Sequence, residues 1–209
     1  MAAITIGRQF GAGGEKVGRL VADRLGWEYL DSNIIDEVAR RLRLGRDVVE
    51  AYDEKRGSLL DRLLRQLATV DLSTPQDVAA WTPPYSDPAF DLSRSVLRLT
   101  QEVIKQAAEG NAVIVGRGGA YILRDRPDAL SVFLLAGEEF RVREAMALLQ
   151  RGEPEARKLL KETDANRAAY VKQVYGHDWL KPGHYDLVVD TGRLGHARAV
   201  EAILAAAPR

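Results

Sequence analysis

Cysteine is absent from all 209 residues, which removes disulfides, thiolate zinc sites and cysteine nucleophiles from consideration. A reducing cytoplasm is the expected home. Net charge is absent too: thirty basic side chains balance thirty acidic ones, so no global field draws in nucleic acid or an anionic membrane. Any anion site must be built locally, and a small-molecule partner is expected. No apolar run approaches the ~18 residues that a membrane-spanning helix needs, and no basic and apolar succession marks an export signal at the start. His177, His184 and His196 lack any short ligand spacing, so no transition-metal site is expected. Internal repeats and low-complexity segments are also missing.

What is present is ordinary for a globular chain, 46% hydrophobic and 29% charged. A chain of this length fits one domain and buries roughly 70% of the surface of its unfolded form, so a core needs no staples. Residues 2–6 are apolar and β-branched, end at Gly7, and are followed by Val17, Leu20, Val21 and Leu25 at helical spacing: strand, glycine-rich turn, helix. Residues 27–30 predict a short strand, and Asp31 or Ser32 is placed to cap a helix running to Arg41. Residues 46–70 have a charged helical pattern broken at Gly57-Ser58. Residues 73–90 carry Pro75, Pro83, Pro84 and Pro88, too proline-rich for regular structure, and predict a mobile loop beside the site.

An amphipathic helix is expected over residues 92–109. Residues 112–115 and 130–135 are continuous apolar runs suited to strands buried on both faces. Two charged helices follow at 138–150 and 153–175, then a strand at 185–189 and a closing helix at 194–206. Alternating strands and helices imply a mainly parallel sheet covered on both faces, with ligands at the carboxyl ends of the strands.

The segment Gly7-Arg8-Gln9-Phe10-Gly11-Ala12-Gly13-Gly14-Glu15-Lys16 stands where the first strand hands over to a helix, so its backbone amides can converge on an anion. The phosphate-loop pattern GxxxxGK[ST] would put a lysine after the last loop glycine and a hydroxyl after that. With Gly13 as that glycine, Gly14 stands in the lysine place and Glu15 in the hydroxyl place. Amides remain, and Arg8, Lys16 or Arg19 are the candidates for charge from another direction. The plain alternative is a strand-to-helix turn without ligand.

The opening ITIGRQFGAGG, the central VIVGRGGAYILRDRP and the late TDANRAAYVKQVYGHDW with its following YDLVVDT resemble the cytidylate kinase-like family, collinearly from about Ile4 to the final helix. The resemblance implies an α/β P-loop NTPase fold of nucleoside monophosphate kinase type, a three-layer sandwich with a mainly parallel sheet. It implies one kinase-like domain over 1–209, with 32–91 as acceptor-binding helical insertion and mobile loop, and 138–175 as lid helices. It further implies transfer of the γ-phosphoryl of ATP, with Mg2+, to a monophosphate of pyrimidine, CMP-like type. Family members characteristically carry a glycine in the lysine place, as Gly14 does here.

Carried over by position, Arg8, Gly11, Ala12, Gly13, Gly14, Glu15 and Lys16 would form the triphosphate site. Asp31 and Ser32 resemble an LDTG segment ahead of the acceptor helix. Arg117 resembles the arginine of a GRD segment that binds the acceptor phosphate, with Gly118 where the aspartate would be. Arg141 and Arg151 fall on the arginine-bearing lid, and Asp164 and Arg167 match a D-x-x-R element, after which Ala168-Ala169-Tyr170 replaces an APL-like turn. Lys161 joins Asp31, Ser32, Arg117, Asp164 and Arg167 on the acceptor side; Lys16, Arg141, Arg151 and Arg167 are the implied transfer residues.

The residue types fit this chemistry, because phosphoryl transfer chiefly requires two phosphates to be aligned and their charge neutralised, and a guanidinium offers a fixed fork of donors. Each has a plainer reading. Arg143 and Arg151 fit solvated surface ion pairs, Asp164 and Arg167 could pair with each other, and Asp31 fits a helix cap. Tyr170, Tyr175, His177, Asp178 and Trp179 could form a base-stacking or gating surface, or hold an ordinary His177–Asp178 hydrogen bond. A nucleotide-binding sensor with little transfer activity, or a kinase of another small phosphate acceptor, stays open beside the nucleotide kinase.

Overall fold

The computed structural model describes residues 1–53 and 92–208. The expected mobile loop at 73–90, the helical reading of residues 54–70 and most of the 32–91 insertion lie outside the described residues. The remainder is an α/β sandwich on a five-stranded sheet in which every pairing is parallel.

Strand β1 (Ala3–Arg8) lies at the centre, between β3 (Ala112–Val115) and β4 (Ala129–Leu135). β2 (Glu28–Leu30) and β5 (Leu187–Asp190) form the edges, giving the order β2-β3-β1-β4-β5. The unbroken apolar composition of β3 and the complete burial of Ala3, Ile4, Thr5 and Ile6 in β1 follow from this position, since both faces of these strands are covered. Ala3, Ala112 and Ile114 pack with α2 (Asn33–Leu42), α3 (Arg46–Asp53) and α4 (Leu92–Ala107) through Ile34, Ile35, Val38, Val49 and Ile104. Ile4, Ile6, Val113 and Val115 face α1 (Gly14–Leu25) and α8 (Thr191–Ala206) through Val17, Val21, Ala199 and Ile203. Each fully buried Ile or Val contributes about 1.5–3 kcal/mol.

β4 alternates: Leu130, Val132 and Leu134 join the α1 layer, while Phe133 packs with Tyr170, Val171 and Trp179. Those last residues belong to α7 (Glu153–Tyr175) and the segment after it. Before α7 comes α6 (Glu138–Leu149), bound to it by Val142, Ala145, Ala156 and Leu160.

β1 runs two residues beyond the expected 2–6, because Gly7 and Arg8 continue its pairing onto Phe133 and Leu134 of β4. This register sets Arg8 at the carboxyl edge of the central strand. α1 starts at Gly14, earlier than the apolar spacing suggests. Neither Asp31 nor Ser32 caps α2 through its side chain. Asn33, the first residue of α2, instead fixes the chain ahead of the helix by accepting from the Asp31 amide at 2.7 Å. The closing helix starts at Thr191, capped by the Asp190 carboxylate, and is kinked at Gly195, whose φ is 74°. A short helix α5 (Gly119–Ile122) and a 3-10 turn at Pro182–His184 complete the described elements.

Candidate active site

The phosphate turn follows directly from β1. Gly13 occupies the N-cap of α1 in left-handed conformation, φ 79°, which glycine tolerates because it has no Cβ. The first N–H groups of a helix have no acceptor within it, so the turn presents amides beside the positive end of the helix dipole. Other parts of the chain hold the turn from outside. Asp164 accepts from the Phe10 amide at 2.8 Å, Arg141 donates to the Phe10 carbonyl at 3.3 Å, and Asp164 and Arg141 pair at 2.5 Å. The Gln9 amide group accepts from Ala136 N–H at 3.2 Å, and the buried Thr191 hydroxyl donates to the Ala12 carbonyl at 2.9 Å.

Beside the turn lies a cleft lined by Arg8, Arg117 and Arg167, with Tyr121, Tyr170 and Trp179 on its aromatic side. Among the described residues that line it are three arginines and no carboxylate. Arg167 donates from Nη1 to the Arg8 carbonyl at 3.1 Å, and Arg8 forms an ion pair with Asp31 at 3.7 Å. Arg117 follows β3 in a run of three left-handed residues: Gly116 at φ 83°, Arg117 at 55° and Gly118 at 72°. Arginine held there costs about 1–2 kcal/mol of backbone strain, and such strain gathers at functional sites. Desolvation, with Arg8 nearby as second cause, pushes the Arg117 guanidinium down to about 10. Positive charge is thus concentrated at the carboxyl ends of β1 and β3, where ligands collect in sheets of this kind and where such charge favours an anion.

The sequence signature of the cytidylate kinase-like family matches residues 3–193. The chain belongs to the cytidylate kinase-like family. Among solved structures, an uncharacterized protein from Eubacterium ventriosum is similar at TM-score 0.70 and 20% identity, covering 99% of this chain and 98% of that one. A shikimate kinase from Bacteroides thetaiotaomicron matches at TM-score 0.52 and 13% identity, covering 98% and 97%. A gluconokinase from Sinorhizobium meliloti matches at 0.52 and 15%, covering 98% and 90%. At these identities the likeness is one of fold, that of the P-loop kinases. No curated protein matches the sequence.

Within this cytidylate kinase-like frame the residues singled out from sequence divide into two groups. Arg8, Gly11, Ala12, Gly13, Gly14, Arg117, Asp164, Arg167, Asp31 and Arg141 gather around the turn and the cleft. Glu15, Lys16, Ser32, Arg151 and Lys161 are exposed. Glu15 turns to Arg19 at 3.1 Å, and Arg151 to Glu155 at 3.7 Å, both one helical turn away on the surface. Asp164 and Arg167 do not pair with each other in the hydrogen bonds observed, since each reaches the turn separately. His177 contacts Arg124 at 3.3 Å, while Asp178 accepts from the Leu180 amide, so the expected His177–Asp178 bond gives way to these partners.

Three contributors escape a reading of the sequence: Gln9, Thr191 and His196. A Cβ on Gly13 would lie 2.3 Å from His196 Nε2, so the imidazole is seated directly on the turn. The Gly195 kink ahead of it is the only local signal. Thr191 had a signal in the DT that ends YDLVVDT. As for metal, no group of three or more histidine, aspartate or glutamate side chains is arranged to hold an ion among the described residues.

Proposed function

We propose that this chain transfers the γ-phosphoryl group of ATP, taken as its magnesium complex, to a nucleoside monophosphate of pyrimidine type. The observation that carries this reading is the convergence of Arg8, Arg117 and Arg167 on one cleft beside the glycine turn. A triphosphate laid on the turn amides would direct its terminal phosphate at these arginines, and a second phosphate held by Arg117 would complete the alignment that transfer requires. Magnesium suits this site as part of the substrate: it keeps waters and phosphate oxygens as ligands and needs no dedicated protein cage. Tyr121, Tyr170 and Trp179 line the same cleft and would be the aromatic neighbours of the acceptor's base.

A second reading, a nucleotide-binding sensor with little transfer, is favoured by Gly14 and Glu15, which leave the usual lysine and hydroxyl places without either group. A third is a kinase of another small phosphate acceptor, favoured by Gly118 in place of an aspartate. The test is a panel of the common monophosphates, with shikimate and gluconate alongside, offered with ATP and magnesium while diphosphate formation is followed and binding is measured by calorimetry. Turnover confined to CMP and UMP is the expected result. Binding without turnover on any acceptor would replace the kinase by the sensor.

A further inference from the structure

The lysine place of the phosphate turn is glycine, yet the space in front of it is filled. A Cβ on Gly14 would lie 2.6 Å from Arg8 Cγ, 3.0 Å from its Cβ and 3.1 Å from its Cδ. The stem of Arg8 thus runs through the volume that a side chain at position 14 would take. At its far end, a Cβ on Gly116 would lie 2.0 Å from Arg8 Nη1. Two glycines from opposite sides, one at the start of α1 and one after β3, leave room for this one arginine.

We infer that Arg8 is the phosphate-binding cation of this site, supplied from the end of β1 in place of a lysine from the start of α1. The backbone of Arg8 is fixed by its pairing with Leu134 and by the Arg167 hydrogen bond to its carbonyl. The side chain is steadied by Asp31 and only 15% exposed. Its guanidinium stands between the glycine turn and the Gly116-Arg117-Gly118 segment, the two elements that would hold donor and acceptor phosphates.

This inference rests on the kinase reading and assigns Arg8 a contact that a lysine at 14 would not make. An anionic oxygen of the acceptor phosphate forms the new P–O bond to the γ-phosphorus. The bond to the bridging oxygen breaks, its electron pair leaves with the diphosphate, and no proton has to move. A forked donor at Arg8 reaches oxygens of the transferring group and of the acceptor together, whereas an ammonium offers a point charge. Gly14 opens α1 and is not among the residues of positive φ, so the glycine there is explained by the Arg8 stem and not by a left-handed backbone.

The experiment compares full-length parent, Arg8→Met, Gly14→Ala and the exchange Arg8→Gly with Gly14→Lys, reading ATP affinity and kcat with the acceptor found in the panel. Arg8→Met is expected to lose about 100-fold in kcat/KM at an unchanged melting midpoint. Gly14→Ala should lose about 10-fold although alanine is the better helix residue. The exchange should regain at least 10-fold over Arg8→Met. Arg8→Met within about threefold of the parent would overturn the assignment. Should Arg8→Met fail to fold, Gly14→Ala and the exchange decide, and parental activity of Gly14→Ala would be equally fatal. If the parent binds ATP without transfer, the kinase reading fails alone, and a tenfold weaker ATP affinity of Arg8→Met still supports the placement of Arg8. If the parent neither binds nor transfers, both are overturned.

Discussion

The Thr191 hydroxyl donates to the Ala12 carbonyl at 2.9 Å from a fully buried side chain, tying the first residue of the last helix to the middle of the phosphate turn. Leu135 O lies 3.2 Å from the same hydroxyl, so one group serves the turn and the end of β4 together. Thr191→Val keeps the shape and removes the donor. A buried carbonyl left without its partner costs about 1–3 kcal/mol. Urea denaturation should show a lower midpoint at constant slope, and a weaker affinity for ATP. An unchanged midpoint would mean that the hydroxyl does not hold the turn.

Arg117 and Arg167 should resist replacement by lysine. Both line the cleft, and Arg167 also fastens the Arg8 carbonyl. If they hold phosphates during transfer, Arg117→Lys and Arg167→Lys should lower kcat and kcat/KM together by about 10-fold or more, or ~1.4 kcal/mol of transition-state stabilisation. A higher KM at constant kcat would instead mark a ground-state contact. Folded variants that turn over like the parent would make both residues structural.

Gly13 carries two separate constraints, its left-handed φ of 79° and the His196 ring on its open side. Gly13→Ala should cost about 1–2 kcal/mol from the backbone alone, with the collision in addition. In a His196→Ala background only the backbone part remains. A double-mutant cycle in denaturant should therefore be non-additive, with the pair less damaging than the sum of the singles. Simple additivity would place His196 away from the turn.

Burial holds the His196 imidazole below its ordinary 6.5, with Lys16 acting in the same direction and Glu144 against it. The unfolded chain takes up this proton as pH falls through about 6.5, while the folded chain does so only at lower pH. Stability therefore declines as pH drops below about 6.5, until the folded group titrates as well. His184 is shifted the same way, by burial and by His177 and Arg124. His196→Asn should flatten the decline in melting temperature between pH 7 and 5 in part, leaving the share of His184. Parallel curves for parent and variant would assign the decline elsewhere.

The sheet was legible because its signal is local: apolar runs at residues 112–115 and 130–135 become β3 and β4 at nearly those limits. Arg8 was legible as a candidate cation but not as the residue in front of Gly14, because that relation depends on a side chain crossing a turn. Asp31 had the composition of a helix cap, yet Arg8 and Tyr29 claim its carboxylate, and both lie across the fold or upstream of the helix. The exposed positions of Lys16, Arg151 and Lys161 could not be told from their charge, since helical spacing fixes a face only once the packing of the helix is known. His196 gave no periodic signal because the helix bends immediately before it.

The central position of β1 also has a consequence in time. This strand precedes both its neighbours, residues 112–115 and 129–135, in the chain, so it has nothing to pair with until they have been made. At ribosomal speeds of roughly 5–20 residues per second, the nascent strand waits on the order of ten seconds. Arg8 and the glycine turn emerge with it, and the cleft that they line with Arg117 and Arg167 closes only once α7 has been made. Slowing synthesis between β1 and β3 would lengthen the exposure of this strand without altering one contact of the finished protein.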